Sequence, residues 1–218
     1  MHVVIVGAGP AGLFLAHRLL ALSPSYTVQI YDCNQNPTDP ESFDSRGFGL
    51  GLGARVQHWL KSIDGLREQL ASEEIKFTPS GLLLIPRRQL CASLLRSLLT
   101  RYGNRTSDDS RLSVNFNVSV VDVDLARREV MIERESGSEK VAYDLLVGAD
   151  GIHSTIRSAM MVSKPDEINF QQQQRPQVWK VLQLPPPPEL QQSPPRILSG
   201  RQRSYNPDRI SSIALCPF

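Results

Sequence analysis

The sequence predicts an α/β domain built on a parallel sheet. An apolar run, Val3 to Val6, leads directly into the glycine-rich stretch GAGPAG and then into apolar residues at helical spacing. Short runs rich in β-branched residues are typical of strands buried in a parallel sheet. The same order of buried strand, glycine turn and helix start recurs at DLLVGADGIHSTIR. Two strand–turn–helix units of this kind indicate an α/β fold.

The glycines of the first turn predict a site for a dinucleotide. Gly7 permits a tight turn, Gly9 lets the backbone approach a pyrophosphate, and Gly12 allows close packing of helix on sheet. The N–H groups and the dipole of the helix start favour a phosphate. The second strand, YTVQIYD, ends at Asp32, 20 residues after Gly12, where an acid can bind a ribose. We therefore predict a Rossmann-like, dinucleotide-binding unit; the alternative is a tight turn without a ligand.

A loop, helices and a strand are predicted to follow. Residues 33–45 are polar and contain proline, which predicts a loop. Residues 53–71 have the apolar spacing of one or two helices, broken near Gly65. The run GLLLIP at 81–86 predicts a strand, and the pattern at 87–101 predicts a strongly amphipathic helix.

A β-meander is predicted between that helix and the second glycine turn. Its strands are expected at 112–123, 129–134 and 139–143, where apolar residues alternate with polar ones. The buried strand Leu145 to Val147 then enters the second glycine turn. The first domain is predicted to span residues 1–164.

The last quarter of the chain differs in composition. Residues 165–218 contain ten of the sixteen prolines and nine glutamines, which is typical of a linker or a disordered segment. Residues 178–184 and 210–215 nevertheless alternate like strands. We predict that 165–218 is the incomplete start of a second, β-rich domain.

Composition narrows the class of protein. The net charge is +2 and the basic residues form no block that could track phosphates, so no nucleic-acid partner is expected. The three cysteines are widely spaced without a CxxC motif, which favours reduced thiols over disulfides or a metal site. The first strand begins at residue 2, and no apolar run reaches the roughly 18 residues of a membrane span. We expect a cytoplasmic protein without a transmembrane segment. Nothing in the sequence specifies an oligomeric state.

The motifs together resemble those of the FAD-dependent aromatic hydroxylases, the group A flavoprotein monooxygenases. GAGPAG, the acid that ends the second strand, and DLLVGADGIHSTIR carry the resemblance. Within that family the kynurenine 3-monooxygenases are the most similar, because RGFGLGLGAR has the outline of their RSINLALSxR. The resemblance implies a Rossmann-like FAD-binding domain with an inserted β-meander, followed by the beginning of a β-rich substrate domain.

The resemblance also implies a set of cofactor-binding residues. Four would line the FAD pyrophosphate, Asp32 would bind the adenosine ribose, and Arg87 would lie near the pyrophosphate and the ribityl chain. Asp150 and Thr155 would contribute from the second glycine turn, and the others would lie beside the flavin or the adenine. The implied set is Gly7, Gly9, Ala11, Gly12, Asp32, Arg46, Gly51, Arg87, Val120, Asp150 and Thr155. Arg46 and Gly51 would lie in a loop beside the flavin, and Val120 would touch the adenine through its backbone. One alternative is that Arg87 or its neighbour Arg88 is a solvated surface charge.

The implied reaction is the hydroxylation of an aromatic small molecule with NAD(P)H as co-substrate and dioxygen. Such an enzyme needs no protein nucleophile, so no catalytic residue and no metal ligand are expected. The arginine and tyrosine that hold the substrate carboxylate in the kynurenine enzymes have no counterpart in EEIKFTPSGLLLIP, which argues against kynurenine as the substrate. The family's later glycine–aspartate motif is also missing, so we expect a C-terminally truncated chain. The alternatives are a non-catalytic FAD-binding remnant and an NAD-dependent dehydrogenase.

Overall fold

A computed structural model of the chain describes residues 1–41, 49–72, 83–103 and 110–173. The described residues form strands, α-helices and one short 3₁₀ helix in mixed order. The strands are β1 (His2–Val6), β2 (Thr27–Asp32), β3 (Gly49–Leu52), β4 (Leu83–Pro86), β5 (Leu112–Phe116), β6 (Ser119–Asp124), β7 (Glu129–Arg134), β8 (Gly137–Ala142) and β9 (Leu145–Gly148). The helices are α1 (Pro10–Leu22), α2 (Ala54–Leu60), α3 (Leu66–Ser72), α4 (Arg87–Tyr102), the 3₁₀ helix Gly151–His153 and α5 (Thr155–Ser163).

The central sheet is parallel and has the order β5-β2-β1-β9. Strand β1 lies in the middle, with Ile5 opposite Ile30 of β2 on one side and opposite Val147 of β9 on the other. The chain leaves β1 toward β2 and β5 and then returns to the far side of β1 as β9. This reversal is that of the Rossmann fold, in which ligands bind at the carboxyl ends of the strands where the order reverses. The predicted fold class is confirmed for the described domain.

Alternate residues of β1 face two different apolar layers. Val3 and Ile5 belong to a core shared with α1 and α4, whereas Val4 and Val6 belong to a second core shared with β7 and Ile156 of α5. All four valine and isoleucine side chains of β1 are buried. The sheet is therefore covered by helices on one face and by the meander with α5 on the other, as its continuous apolar run requires.

The meander is a three-stranded antiparallel sheet of the order β6-β7-β8. The prediction of one strand over 112–123 is wrong. Residues 112–116 instead form β5, which pairs with β2 in the parallel sheet. Asn117 adopts a left-handed conformation with φ 56° and ends that strand, and the Val118 N–H then donates to the Asp32 carbonyl at 3.0 Å. Because asparagine tolerates this conformation better than most residues, it can separate two strands that share one alternating pattern.

The other predicted elements occur close to their expected places. The helical stretch 53–71 is broken into α2 and α3, with Gly65 at φ +70° between them. The strand predicted at 81–86 is β4, which pairs antiparallel with β3. Residues 178–184 and 210–215 lie outside the described residues, and the domain boundary after residue 164 stays a prediction. Within the described ranges, no helix combines the length and the apolar character that a membrane span requires.

His17 lies buried between α1 and α4. Its Nε2 donates to the Leu94 carbonyl at 3.1 Å, and the residue is 3% exposed. Burial lowers the pKa of His17 from 6.5 to about 4, the hydrogen bond to Leu94 opposes that change, and the charge of Arg101 adds to it. The native protein therefore holds a neutral imidazole at pH values where an unfolded chain already carries a proton on this residue.

We predict that this imidazole makes the fold sensitive to acid. Between pH 6.5 and about pH 4 the unfolded state binds one more proton at His17 than the native state does. The free energy of unfolding should therefore fall by about 1.4 kcal/mol for each pH unit of acidification across this window. His17→Gln removes the titration and keeps a donor for Leu94, so its urea-unfolding free energy should depend less on pH. His153→Gln, at an exposed position, is the control; equal slopes for His17→Gln and the parent would contradict the prediction.

Candidate functional site

The two glycine turns meet at the carboxyl ends of β1 and β9. Gly7 has φ +106°, and its N–H donates to the Tyr31 carbonyl at 2.7 Å. A Cβ atom on Gly7 would lie 2.4 Å from the carbonyl oxygen of Ala149, and one on Gly12 would lie 2.0 Å from the carbonyl oxygen of Gly7. Neither position has room for a side chain. The start of α1, the first turn and the loop after β9 are therefore in direct backbone contact, as the roles predicted for Gly7 and Gly12 require.

The amino terminus of α1 offers backbone donors at this junction. Gly9 is the N-cap residue and provides no side-chain cap, and Pro10 follows as the first helical residue. Ala11 is exposed. Uncapped N–H groups and the helix dipole favour a bound anion. The Nη2 atom of Arg87 lies 3.2 Å from the position of a Cβ on Gly9, so the guanidinium reaches the same turn from the first residue of α4.

Arg87 and Arg88 have different surroundings, and both are partly buried. Arg88 donates through Nη2 to the carbonyl of Asp39, which ties the loop after β2 to the start of α4. Arg87 instead faces Gly9. Each guanidinium thus lies against a different backbone segment, and the interpretation of one of the two as a solvated surface charge stays a prediction.

Asp32 links the end of β2 to the first glycine turn. Its Oδ2 accepts a hydrogen bond from the Ala8 N–H at 2.6 Å. Its Oδ1 accepts from the Asn34 backbone N–H at 2.8 Å and from the Asn34 Nδ2 at 2.7 Å. The sequence motif predicted the acid at this place but not Ala8 or Asn34, whose contact with it depends on how β1 and β2 align. The carboxylate is thus fixed by three donors of the protein.

Within the described ranges, Asp150 accepts hydrogen bonds through only one of its two carboxylate oxygens. Its Oδ2 accepts from the N–H groups of Thr155 at 2.7 Å and Ile156 at 3.4 Å, at the first turn of α5. Its Oδ1 is buried and has no hydrogen-bond partner among the described residues. A buried acceptor without a donor costs about 1–3 kcal/mol, so such an atom points to a missing partner. The side chain of Asp150 therefore fits a ligand that presents a hydroxyl donor.

The remaining predicted site residues lie at different distances from this junction. Val120 is half-buried in β6 opposite Ile132 and packs against the second core. Gly51 is exposed within β3 opposite Leu84, so it lies in a strand rather than in the predicted loop. Arg46 lies outside the described residues. The structure therefore brings together the two glycine turns, Asp32, Arg87, Asp150 and Thr155, whereas Gly51 lies in β3 and Val120 packs against the second core.

In the described part of the chain, no cluster of three histidine, cysteine, aspartate or glutamate residues could hold a metal ion. The chemistry that the junction can provide is binding. It offers backbone donors and a guanidinium for phosphate, and carboxylate acceptors for hydroxyl groups.

The chain is similar in sequence to curated monooxygenases. It is 28% identical over 210 residues to the FAD-dependent monooxygenase sdgC of Emericella nidulans, with 79% of this chain and 42% of that protein covered. It is 26% identical over 219 residues to the kynurenine 3-monooxygenase of Aspergillus oryzae, with 84% of this chain and 42% of that protein covered. The chain is homologous to the FAD-dependent monooxygenases. It spans about two fifths of the length of these relatives, and no protein-family model matches it.

Solved structures of aromatic hydroxylases share the fold of the described residues. CabE, an aromatic hydroxylase from angucycline biosynthesis, superimposes with a TM-score of 0.56 at 21% identity and covers 72% of this chain and 32% of that one. OxyS, an anhydrotetracycline hydroxylase from Streptomyces rimosus, gives a TM-score of 0.55 at 23% identity and covers 73% of this chain and 34% of that one. The parallel sheet with its inserted meander is therefore the fold seen in these hydroxylases.

We predict that a side chain at position 12 destabilises the fold and that one at position 9 does so much less. Gly12→Ala places a Cβ against a backbone oxygen at 2.0 Å, which should destabilise the fold by about 2 kcal/mol or more. Gly9→Ala meets only the end of the Arg87 side chain at 3.2 Å and should cost less than about 1 kcal/mol. Urea unfolding of each variant gives these free energies.

Gly53→Ala is the matched control for Gly9→Ala. Gly53 is also a helix N-cap in an extended conformation, with φ −72° and ψ 174° against −70° and 176° at Gly9. An added Cβ on Gly53 has no atom within 4 Å. A Gly12→Ala protein as stable as the Gly53→Ala protein would contradict the proposed packing of the two turns.

Proposed function

We propose that the chain binds FAD at the junction of its two glycine turns and serves an NAD(P)H- and dioxygen-dependent monooxygenase that hydroxylates an aromatic small molecule. One observation carries the proposal. The buried Oδ1 of Asp150 lacks a donor among the described residues, and it belongs to the loop that packs on the dinucleotide-type turn of β1. The homology to FAD-dependent monooxygenases supports the same cofactor.

Each group of the junction has a role in this proposal. The pyrophosphate would be held by the uncapped start of α1, with Gly7, Gly9, Ala11 and Gly12. The guanidinium of Arg87 would hold it as well, because a planar charged fork suits phosphate oxygens. Asp32 would accept from the adenosine ribose.

The second turn would serve the flavin half of the cofactor. Asp150 would accept a ribityl hydroxyl at its open Oδ1, and Thr155 begins the helix whose N–H groups hold the other oxygen of Asp150. Arg46, Gly51 and Val120 remain proposed contacts of the flavin and the adenine. Bound FAD would supply the redox chemistry, taking electrons from NAD(P)H and activating dioxygen. No protein nucleophile is part of the proposal.

The meander favours FAD over a dehydrogenase cofactor. In a doubly wound sheet both faces are covered by helices. Here the connection from β5 to β9 runs through β6, β7 and β8 and covers the second face with strands. The hydroxylase structures named above have this fold, which supports FAD as the dinucleotide.

The proposed substrate is an aromatic small molecule, and the sequence argues against kynurenine itself. The stretch without the expected arginine and tyrosine is EEIKFTPSGLLLIP, of which residues 73–82 lie outside the described ranges. The widely spaced cysteines support a reducing, cytoplasmic location. The dispersed basic residues support the absence of a nucleic-acid partner.

The first test of this function is the identity of the bound cofactor. We predict that the purified chain, incubated with FAD and passed through a desalting column, retains a yellow chromophore with flavin absorption bands. Heat should release it, and chromatography should identify it as FAD. Retention of NAD in place of FAD under the same treatment would overturn the proposal in favour of a dehydrogenase. Consumption of NADPH without a hydroxylated aromatic product would favour a flavin-binding remnant.

A second test uses the open oxygen of Asp150. Asp150→Asn keeps one oxygen for the Thr155 N–H and replaces the other with an amide nitrogen, which cannot accept a hydrogen bond. We predict that this variant folds like the parent and binds FAD at least about tenfold more weakly, because a charge-assisted hydrogen bond is lost. Flavin fluorescence titration measures the affinity, and urea unfolding without FAD measures the fold. Asp144→Asn, an exposed acid that accepts from the His2 N–H, is the control. Equal FAD affinities of Asp150→Asn and Asp144→Asn would contradict the assignment.

A further inference from the structure

Asn34 makes two contacts with the carboxylate that the proposed function places at the adenosine ribose. Its backbone N–H and its Nδ2 both donate to Oδ1 of Asp32, at 2.8 and 2.7 Å. A carboxylate oxygen only accepts, so the side-chain atom that faces Asp32 is the amide nitrogen. The amide is thereby fixed in one orientation, with its carbonyl oxygen directed away from Asp32.

These contacts determine which acceptor position of Asp32 stays open. An ionised carboxylate accepts about four hydrogen bonds, two on each oxygen. Asn34 supplies both donors to Oδ1, and Ala8 supplies one donor to Oδ2. Among the described residues, the position that remains is therefore on Oδ2, beside the first glycine turn.

The backbone of Asn34 is held independently of its side chain. Its carbonyl accepts from the Asn117 N–H at 3.0 Å, and the Asp32 carbonyl accepts from the Val118 N–H at 3.0 Å. The corner between β5 and β6 thus fixes the turn that carries Asn34. Removing the amide of Asn34 leaves these backbone bonds and the backbone donor to Asp32 in place.

We propose that Asn34 is a positioning residue for the ribose of the bound dinucleotide. Its amide holds the Asp32 carboxylate so that the open position of Oδ2 accepts a ribose hydroxyl. Without the amide, Oδ1 has a free acceptor position and the carboxylate can rotate toward solvent. The inference rests on the proposed dinucleotide site and adds to it a residue that acts through Asp32.

The test measures recognition of the ribose hydroxyls directly. ADP and its dideoxy analogue, which lacks both ribose hydroxyls, are titrated by calorimetry into the full chain. The parent should prefer ADP by roughly tenfold, the effect of a hydrogen bond to a charged group. Asn34→Ala should reduce that preference roughly three- to tenfold while binding of the dideoxy analogue stays unchanged. A loss of structure would weaken both ligands equally, so the ratio of the affinities separates positioning from folding.

Asn36→Ala is the matched control. Asn36 lies in the same loop, and its Oδ1 accepts from the N–H of Thr38 at 3.0 Å and from its hydroxyl at 2.8 Å, but it has no bond to Asp32. This variant should keep the preference of the parent for ADP. If Asn34→Ala does not fold, Asn34→Asp replaces the donor with an acceptor of the same shape and should lower the preference as well.

A double-mutant cycle tests whether Asn34 acts through Asp32. Asp32→Ala alone should abolish the preference for ADP, and adding Asn34→Ala to it should change nothing further, because residues that act through one another are not additive. An Asn34→Ala protein that keeps the full preference would overturn the inference, as would a parent that binds FAD but does not distinguish ADP from its analogue. A parent that binds neither FAD nor ADP would instead contradict the proposed function.

Discussion

The turn after β1 has no room for a side chain at Gly7 or at Gly12. The rest of the site depends on this constraint. Gly7 contacts the backbone of Ala149, and Gly12 contacts the carbonyl of Gly7 at a distance where a Cβ atom cannot be placed. The amino terminus of α1 is therefore held against the carboxyl ends of β1 and β9 at once. The backbone donors of α1 therefore lie beside the loop after β9 that carries Asp150, because no side chain at Gly7 or Gly12 separates them.

The two apolar layers position this junction from opposite faces of the sheet. Val3 and Ile5 pack toward the helices, and Val4 and Val6 pack toward the meander. Helix α1 is fixed by the first layer, and α5, with Ile156 buried in the second, is fixed by the other. The turns that precede α1 and α5 meet at the carboxyl ends of β1 and β9, where both apolar layers end. A strand with two apolar faces thus explains both the burial of β1 and the location of the site.

The sequence predicted those parts of the structure whose residues are constrained by local chemistry. Gly12 was predictable because only glycine permits a helix to lie so close to the preceding turn. The corner at Asn117 was not, because the alternating pattern continues through it and a left-handed asparagine leaves no break in that pattern. The partners of Asp32 were not predictable either. Ala8 lies 24 residues away, and its contact with the carboxylate depends on the alignment of two neighbouring strands.

The two acids of the junction differ in how much of their hydrogen-bonding capacity the protein itself uses. Asp32 receives three donors, so its carboxylate is held in place before any ligand binds, and the entropy lost on binding is small. Among the described residues, Asp150 receives donors on one oxygen only, and its buried second oxygen is an unsatisfied acceptor. A ligand hydroxyl at Asp150 relieves that penalty, whereas one at Asp32 uses an acceptor that is already oriented. A ligand at this junction would thus be bound by a preorganised carboxylate at Asp32 and by satisfying a buried acceptor at Asp150.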